Sequence, residues 1–254
     1  MGCDSKMHGK KTELDSSLES SLYSQLKNIL LGKILSGEWS NGDKIPNEYE
    51  LCRMYNVSRI TVRQALAELT KKGYLVRRQG SGTYVSIPKI EQNLTSFYSF
   101  TEEFRKKGFS PSSKVLEFHL QISKKEIARK LGLSEENREV YYIKRLRFAD
   151  NIPVALESTY IPAALFHDLK EEDLETKPLY DIMREQYGVV PSTAEESICA
   201  VNLGEKESIY LGVNKGVAVF QVERFAYNLD TCIEYTIGFV RSDIFRFHVK
   251  LDRS

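Results

Sequence analysis

The sequence lacks an apolar run that could cross a membrane. A transmembrane helix needs about 20 consecutive apolar residues, and no run within the 254 residues approaches that length. Residues 1–11 also lack the apolar core of a secretory signal. We therefore expect no membrane partner.

Cysteine is scarce and scattered. The four cysteines, Cys3, Cys52, Cys199 and Cys232, form no CxxC pair, which argues against a disulfide framework and against a structural zinc site. The expected compartment is therefore the reducing cytoplasm.

Motifs of catalysis and of metal binding are missing too. The four histidines lie far apart and share no metal-ligand spacing with one another or with the cysteines. The sequence contains no HExxH, GxSxG, P-loop or GxGxxG motif. We therefore predict no catalytic residue, no metal ion and no cofactor, and we expect that the protein is not an enzyme.

The net charge of +1 conceals an uneven distribution of charge. Residues 44–86 contain eight basic and three acidic side chains, whereas residues 168–207 contain eleven acidic and four basic ones. A basic N-terminal part indicates contact with a polyanion such as nucleic acid. A chain of this length also has room for two domains.

The first 86 residues carry the pattern of three helices and a hairpin. Leucine and isoleucine recur every four residues in the first helix. Asn47 and Ser58 are N-cap residues for the second and third, and Gly80 and Gly82 occupy the hairpin loop. The predicted helices cover residues 18–36, 48–55 and 59–72, and the predicted strands cover residues 74–77 and 83–85. This order predicts a winged helix-turn-helix domain.

The start of the third helix has the chemistry of a DNA reader. Free N–H groups at a helix N-terminus attract phosphate, so Ser58 and Thr61 are placed to hold a backbone phosphate. Arg59 and Arg63 would then face base edges, where arginine fits the O6/N7 edge of guanine. The alternative is a small helical domain with an incidentally basic, solvated face.

Beyond residue 92 the pattern indicates an α+β domain with an antiparallel sheet. Alternating strands pair across short turns, and helical stretches fall between the pairs. The predicted strands cover residues 140–148, 152–160, 217–227 and 232–239, and the predicted helices cover residues 97–107, 124–131 and 179–187.

Two arginines on one predicted strand mark a candidate ligand site. Arg145 and Arg147 are two residues apart and therefore share a sheet face, with Glu157 on the following strand. Like charges at that separation repel unless an anion or a carboxylate lies between them. The pattern fits either a small anionic ligand or a solvated face on which acidic side chains neutralise the arginines.

The sequence resembles the GntR family of bacterial transcription regulators over residues 18–86. The motifs that carry this resemblance are Gly37-Glu38-Trp39, Val57 to Leu66 (VSRITVRQAL) and Gly80 to Val85 (GSGTYV). The remainder resembles the HutC subfamily, whose C-terminal UTRA domain has a chorismate-lyase-like fold. Its motifs are Asn93 to Phe97 (NLTSF), Arg145-Leu146-Arg147 and Glu234-Tyr235.

The resemblance implies two sets of binding residues. The DNA-contacting set comprises Ser58, Arg59, Thr61 and Arg63 of the recognition helix and Gly80, Ser81, Gly82 and Thr83 of the wing. The effector-contacting set comprises Thr95, Ser96, Arg145, Arg147, Glu157, Tyr180 and Glu234, with Thr95 and Ser96 cradling the phosphate of a sugar phosphate.

Four residues at three places in the chain depart from the family pattern. Tyr49 stands where an arginine usually contacts DNA, and it lacks the bidentate guanine contact of arginine. Pro178 replaces a hydroxyl residue, and Phe239-Val240 replaces a Tyr-Tyr pair that closes over the ligand in some relatives. The last two departures imply a less polar pocket.

These observations together predict a homodimeric repressor of a carbohydrate uptake or catabolic operon. It would bind a palindromic operator and be released by a small anionic effector such as a sugar phosphate. The expected organisation is a disordered tail over residues 1–17, the winged domain over 18–86, a linker over 87–92 and the UTRA-like domain over 93–254. Two alternatives are a lyase-like enzyme with a DNA-tethering domain and a protein-interaction module that does not read DNA.

Overall fold

The chain folds into two compact units, Met1–Pro88 and Lys89–Ser254. The computed structural model describes residue 14, residues 20–94 and residues 98–251. The predicted tail therefore lies outside the described residues apart from Leu14. No helix within the described ranges combines the length and the apolar character that a bilayer crossing requires.

The first unit contains three helices and a two-stranded hairpin, as predicted. Its elements are α1 (Leu22–Leu35), α2 (Glu48–Tyr55), α3 (Arg59–Lys71), β1 (Leu75–Arg78) and β2 (Gly82–Val85). The first helix begins at Leu22 rather than at the predicted residue 18, with Ser21 at its N-cap. Every other boundary lies within one residue of the prediction.

The core of the first unit lies between α1 and α3. Leu26, Leu30 and Ile34 recur on one face of α1 and are buried, as are Val62 and Leu69 on α3. Burial of such side chains contributes roughly 1.5–3 kcal/mol each. This packing therefore holds α3 in place while its N-terminal turn stays at the surface.

Side-chain caps fix where the second and third helices begin. The side chain of Asn47 accepts a hydrogen bond from the backbone N–H of Glu50 at 3.0 Å, and the Glu50 carboxylate accepts one from the N–H of Asn47 at 2.7 Å. The hydroxyl of Ser58 accepts the N–H of Thr61 at 3.2 Å. Both N-caps are those predicted from the sequence.

The second unit is built on a six-stranded antiparallel sheet with the strand order β4-β5-β6-β9-β8-β7. The predicted α+β class with an antiparallel sheet is therefore confirmed. The strands are β4 (Pro111–Ile122), β5 (Glu139–Ala149), β6 (Ile152–Pro162), β7 (Thr193–Asn202), β8 (Ala218–Asn228) and β9 (Thr231–Arg241). Edge strands β4 and β7 were not predicted.

Helices cover both faces of this sheet. They are α4 (Phe100–Lys106), α5 (Lys125–Lys130), α6 (Glu171–Thr176), α7 (Leu179–Tyr187) and α8 (Glu205–Leu211). Helices α6 and α7 pack with Tyr141 and Ile143 on one face. Leu131, just after α5, and Leu211 of α8 pack against the opposite face.

Two short strands form a separate parallel pair. One of them occupies part of the predicted linker, so the prediction of a linker over residues 87–92 is wrong for residues 90–92. Strand β3 (Ile90–Asn93) pairs with β10 (Phe245–His248), whereas we expected residues 87–92 to be a connector. Ile90 and Gln92 are buried. Residues that pair between these strands, such as Glu91 and Arg246, are 155 positions apart, so no local pattern indicated the pairing.

Substitution Leu30→Ala should lower the free energy of unfolding of the first unit by about 2–5 kcal/mol, because it leaves a cavity between α1 and α3. The single tryptophan, Trp39, lies in this unit, so its fluorescence during urea unfolding reports on it. Asn28→Ala, at an exposed position of the same helix, is the control and should change the value by less than about 0.5 kcal/mol. Equal effects of the two substitutions would contradict the packing described here.

Candidate nucleic-acid interface and effector pocket

The N-terminal turn of α3 presents the predicted DNA-contacting side chains together. Arg59 and Arg63 are exposed on this turn, and the hydroxyls of Ser58 and Thr61 lie 2.9 Å apart. The positive end of the helix dipole and the two guanidinium groups therefore face solvent at one place. Such a surface attracts phosphate and offers donors to base edges.

The wing lies in the same unit, and its loop depends on glycine. Gly80 has φ +72° and Gly82 has φ +127°, conformations that favour glycine. A Cβ on Gly82 would lie 2.7 Å from the Cε atom of Lys44. Ser81 is exposed and Thr83 is half-buried. The two glycines let the backbone of the wing come close to a bound molecule.

Sequence reasoning missed the residue that joins helix and wing. Glu48 accepts a hydrogen bond from Nε of Arg59 at 3.2 Å and another from Nη2 of Arg77, on β1, at 3.3 Å. In the sequence, Arg77 stood out only as one of the eight basic residues between positions 44 and 86. No local pattern pointed to Glu48, because its partners lie 11 and 29 residues away.

In the second unit, Arg145, Arg147 and Glu157 line one cavity. The side chains of Arg145 and Arg147 share one face of β5, as predicted, and the two residues are 5% and 6% exposed. Arg145 stands opposite Glu157 in the strand register, and that carboxylate lies 3.5 Å from Nη2 of Arg145 and 3.7 Å from Nε of Arg147. The face is therefore buried and not solvated, but the Glu157 carboxylate does pair with both arginines, as the alternative expected.

Burial leaves these arginines short of acceptors. Within the described residues, Nε of Arg145 and Nε of Arg147 are buried without a hydrogen-bond partner. Burial lowers the pKa of Arg147 to about 10, although the Glu157 carboxylate opposes this shift. Unsatisfied buried donors cost roughly 1–3 kcal/mol each. Both guanidinium groups line the cavity, which is thus suited to a molecule that brings hydrogen-bond acceptors.

Tyr180 and Glu234 line the same cavity. The Tyr180 hydroxyl is hydrogen-bonded to the Glu234 side chain, and burial followed by the Glu234 charge raises the pKa of Tyr180 well above its usual value. Thr236 donates to Oε1 of Glu234 at 2.6 Å. Tyr180 therefore stays protonated at neutral pH and remains a donor.

The departures from the family pattern fall at different places. Pro178 and Val240 line the cavity and present apolar side chains to its wall. Phe239 packs with Leu146 and Leu156 on the opposite face of the sheet. Tyr49 is exposed on α2.

A second arginine–glutamate pair, which sequence reasoning missed, borders the cavity. Arg224 on β8 stands opposite Glu196 on β7, and Nη1 of Arg224 donates to Glu196 at 2.9 Å. The Tyr98 hydroxyl donates to the same carboxylate at 2.8 Å, and Nη2 of Arg224 donates to the backbone oxygen of Tyr98 at 2.8 Å. The signal in the sequence was Arg224 itself, a charged residue on the inward face of a predicted strand. The same kind of signal identified Arg145.

The described lining therefore contains three arginines and three glutamates. They are Arg145, Arg147, Arg224, Glu157, Glu196 and Glu234. Their formal charges balance, which keeps the enclosed charge tolerable in a medium of low dielectric constant. Thr95 and Ser96 lie outside the described residues, and Tyr98, two positions beyond Ser96, lines the cavity. The described residues include no cluster of metal-ligating side chains.

Comparison with known proteins matches both units. The model of the UTRA domain matches residues 106–246, and that of the gntR family of bacterial regulatory proteins matches residues 22–85. The HTH-type transcriptional repressor NagR of Bacillus subtilis is 34% identical over 234 residues, which cover 91% of this chain and 95% of NagR. The chain belongs to the HutC subfamily of the GntR family.

Other relatives are similar in sequence or in structure to this GntR-family regulator. The probable fructoselysine utilization operon transcriptional repressor of Escherichia coli strain K12 is 30% identical over 207 residues. These residues cover 82% of this chain and 84% of that repressor. The crystal structure of PhnF from Mycobacterium smegmatis matches with a TM-score of 0.63 and 28% identity, covering 91% of this chain and 99% of PhnF. The two repressors are transcription regulators and not enzymes, in line with our prediction.

Substitution Arg224→Met should destabilise this regulator by about 3–5 kcal/mol, because it leaves the Glu196 carboxylate, whose side chain is only 12% exposed, without its cation. Arg224→Met combined with Glu196→Met should recover more than half of that loss. Denaturant unfolding followed by circular dichroism measures both values. Lys177→Met, which breaks an exposed pair with Glu185 at 2.7 Å, should leave the unfolding midpoint nearly unchanged. A double variant as unstable as the single one would refute the role of the pair.

Proposed function

We propose that this GntR-family regulator is a homodimeric repressor that binds a palindromic operator and is released by a sugar phosphate. The observation that carries the DNA part is the exposed basic turn of α3, with Arg59 and Arg63 beside the glycine-containing wing. Ser58 and Thr61 would hold a backbone phosphate while the arginines contact base edges. Gly80, Ser81, Gly82 and Thr83 would contact the adjacent groove or backbone.

A homodimer follows from the chemistry of operator recognition. One recognition helix covers only a few base pairs, whereas a two-fold dimer presents two helices to two half-sites. The regulated genes would encode carbohydrate uptake or catabolism, and the protein would act at the chromosome in the cytoplasm. The similarity to NagR, which is named a repressor, supports the negative sign of regulation.

The cavity of the second unit supports an anionic effector. The guanidinium groups of Arg145 and Arg147 line the cavity, and phosphate oxygens are strong acceptors for arginine. Glu157, Tyr180 and Glu234 would contact hydroxyl groups of the sugar, and Thr95 and Ser96 would hold its phosphate. Pro178 and Val240 would favour a ligand that is less polar at that wall.

Release from DNA requires that the effector prefer the conformation that does not bind the operator. A 100-fold loss of operator affinity corresponds to about 2.7 kcal/mol of coupling. Strand β3 directly follows the connector at residues 87–89, and Tyr98, five residues beyond the end of β3, is tied to Arg224 and Glu196. Residues 90–98 therefore join the cavity to the connector along the chain.

Selection of bound duplexes from the source genome tests the DNA part, with affinities measured at two salt concentrations. Arg59→Ala should reduce affinity for the selected palindrome by tenfold or more, because a lost bidentate contact to guanine costs about 1–3 kcal/mol. Its thermal unfolding should match that of the unsubstituted protein. Recovery of no consensus would indicate an interaction module that does not read sequence, and unchanged affinity of the variant would exclude Arg59 as a reader.

Substitution Arg145→Ala should give a protein that binds the selected duplex but is no longer released by effector. The assay measures release by a panel of hexose and amino-sugar 6-phosphates, with a loss of response of about 100-fold expected for the variant. Lys144→Ala is the matched control, because Lys144 pairs with Glu117 at 3.1 Å on the opposite face of the sheet. Normal release of Arg145→Ala would remove this arginine from the effector site.

A further inference from the structure

Glu48 occupies an unusual place for an acidic side chain, in the middle of a basic surface. It is the first residue of α2, and its side chain is 19% exposed. The arginine side chains that it contacts, those of Arg59 and Arg77, are 76% and 72% exposed. The carboxylate is thus partly enclosed while its cationic partners project outward.

The contacts use separate atoms of the carboxylate. Oε2 accepts from Nε of Arg59, and Oε1 accepts from Nη2 of Arg77. Because Glu48 contacts Nε of Arg59, the two terminal nitrogens of this guanidinium are left to contact a base. These two nitrogens can form a bidentate contact with guanine. Glu48 therefore holds this side chain without occupying the atoms that would contact a base.

The backbone under Glu48 is itself fixed. Asn47 and Glu50 form the reciprocal capping box at the start of α2, so the carboxylate projects from a rigid turn. A functional side chain is oriented best when the group that holds it is rigid. Glu48 links α2, α3 and the wing through a single carboxylate.

We propose that Glu48 is a positioning residue for sequence-specific DNA recognition, an inference that rests on the proposed operator-binding function. It orients Arg59 toward a base and Arg77 toward the adjoining backbone. Its negative charge also repels phosphate, which weakens binding to DNA of any sequence. Glu48 thereby raises the ratio of specific to non-specific affinity by acting on both quantities.

The test uses the full-length protein, the duplex selected from the genome and a scrambled duplex of the same composition. Glu48→Gln should bind the selected duplex more weakly and the scrambled duplex more tightly, so that the ratio of the affinities falls tenfold or more. The salt dependence on the scrambled duplex should steepen by about 0.9 for one additional phosphate contact. The melting temperature should change by less than about 3 °C, since exposed ion pairs contribute little to stability.

Glu50→Gln is the matched control. It removes the same charge two residues away, but Glu50 bonds to the Asn47 backbone and not to an arginine. The amide oxygen of glutamine can accept the same N–H, so the capping box under Glu48 is kept. This variant should tighten binding to both duplexes and keep their ratio within about twofold, because only the general repulsion of phosphate is reduced.

Duplexes with single base-pair changes show whether Glu48 orients Arg59 or only supports the fold of the first unit. Glu48→Gln should lose discrimination at the base pairs where Arg59→Ala loses it and keep discrimination elsewhere. A uniform loss across all positions, or a ratio as high as that of Glu50→Gln, would overturn the proposal. If the unsubstituted protein prefers no duplex at all, the proposed function fails first and this inference falls with it.

Discussion

Pairing of arginine with glutamate across neighbouring strands makes the cavity of the second unit possible. A buried guanidinium without a partner costs several kcal/mol, so a sheet can enclose one only if its neighbour supplies a carboxylate. The antiparallel register places Glu157 opposite Arg145 and Glu196 opposite Arg224. Directly opposed side chains have Cβ atoms only about 4.5–5.5 Å apart. The backbone register thus determines the electrostatics of the pocket.

The elements that the sequence predicted well are those whose signals are local. Asn47 and Ser58 are caps that act within three residues, so the helices they begin were placed correctly. The central strands β5 and β6 are rich in β-branched and aromatic residues because helices cover both of their faces, and this composition marked them as strands. Arg145 and Arg147 stood out because they are charged residues on a strand face whose other members, such as Ile143, are apolar.

The elements and residues that were missed depend on distant partners or on partial exposure. Strands β4 and β7 are the sheet edges, and their residues are mostly exposed or half-buried, so polar residues weaken their alternation. Arg224 follows Glu223, and this adjacency is typical of a solvated strand. In the fold the two side chains face opposite ways, since Glu223 contacts Lys130 and Arg224 contacts Glu196.

The parallel pairing of β3 with β10 has a consequence for biosynthesis. Strand β3 lies at the start of the second unit, but Arg246, which pairs with Glu91, is synthesised 155 residues later. The first unit closes its helical core and its wing within residues 22–85. A nascent chain on the ribosome therefore carries the complete first unit before the partner strand of β3 has been synthesised. A chain that ends before residue 245 would contain the first unit but would lack β10, the strand with which β3 pairs.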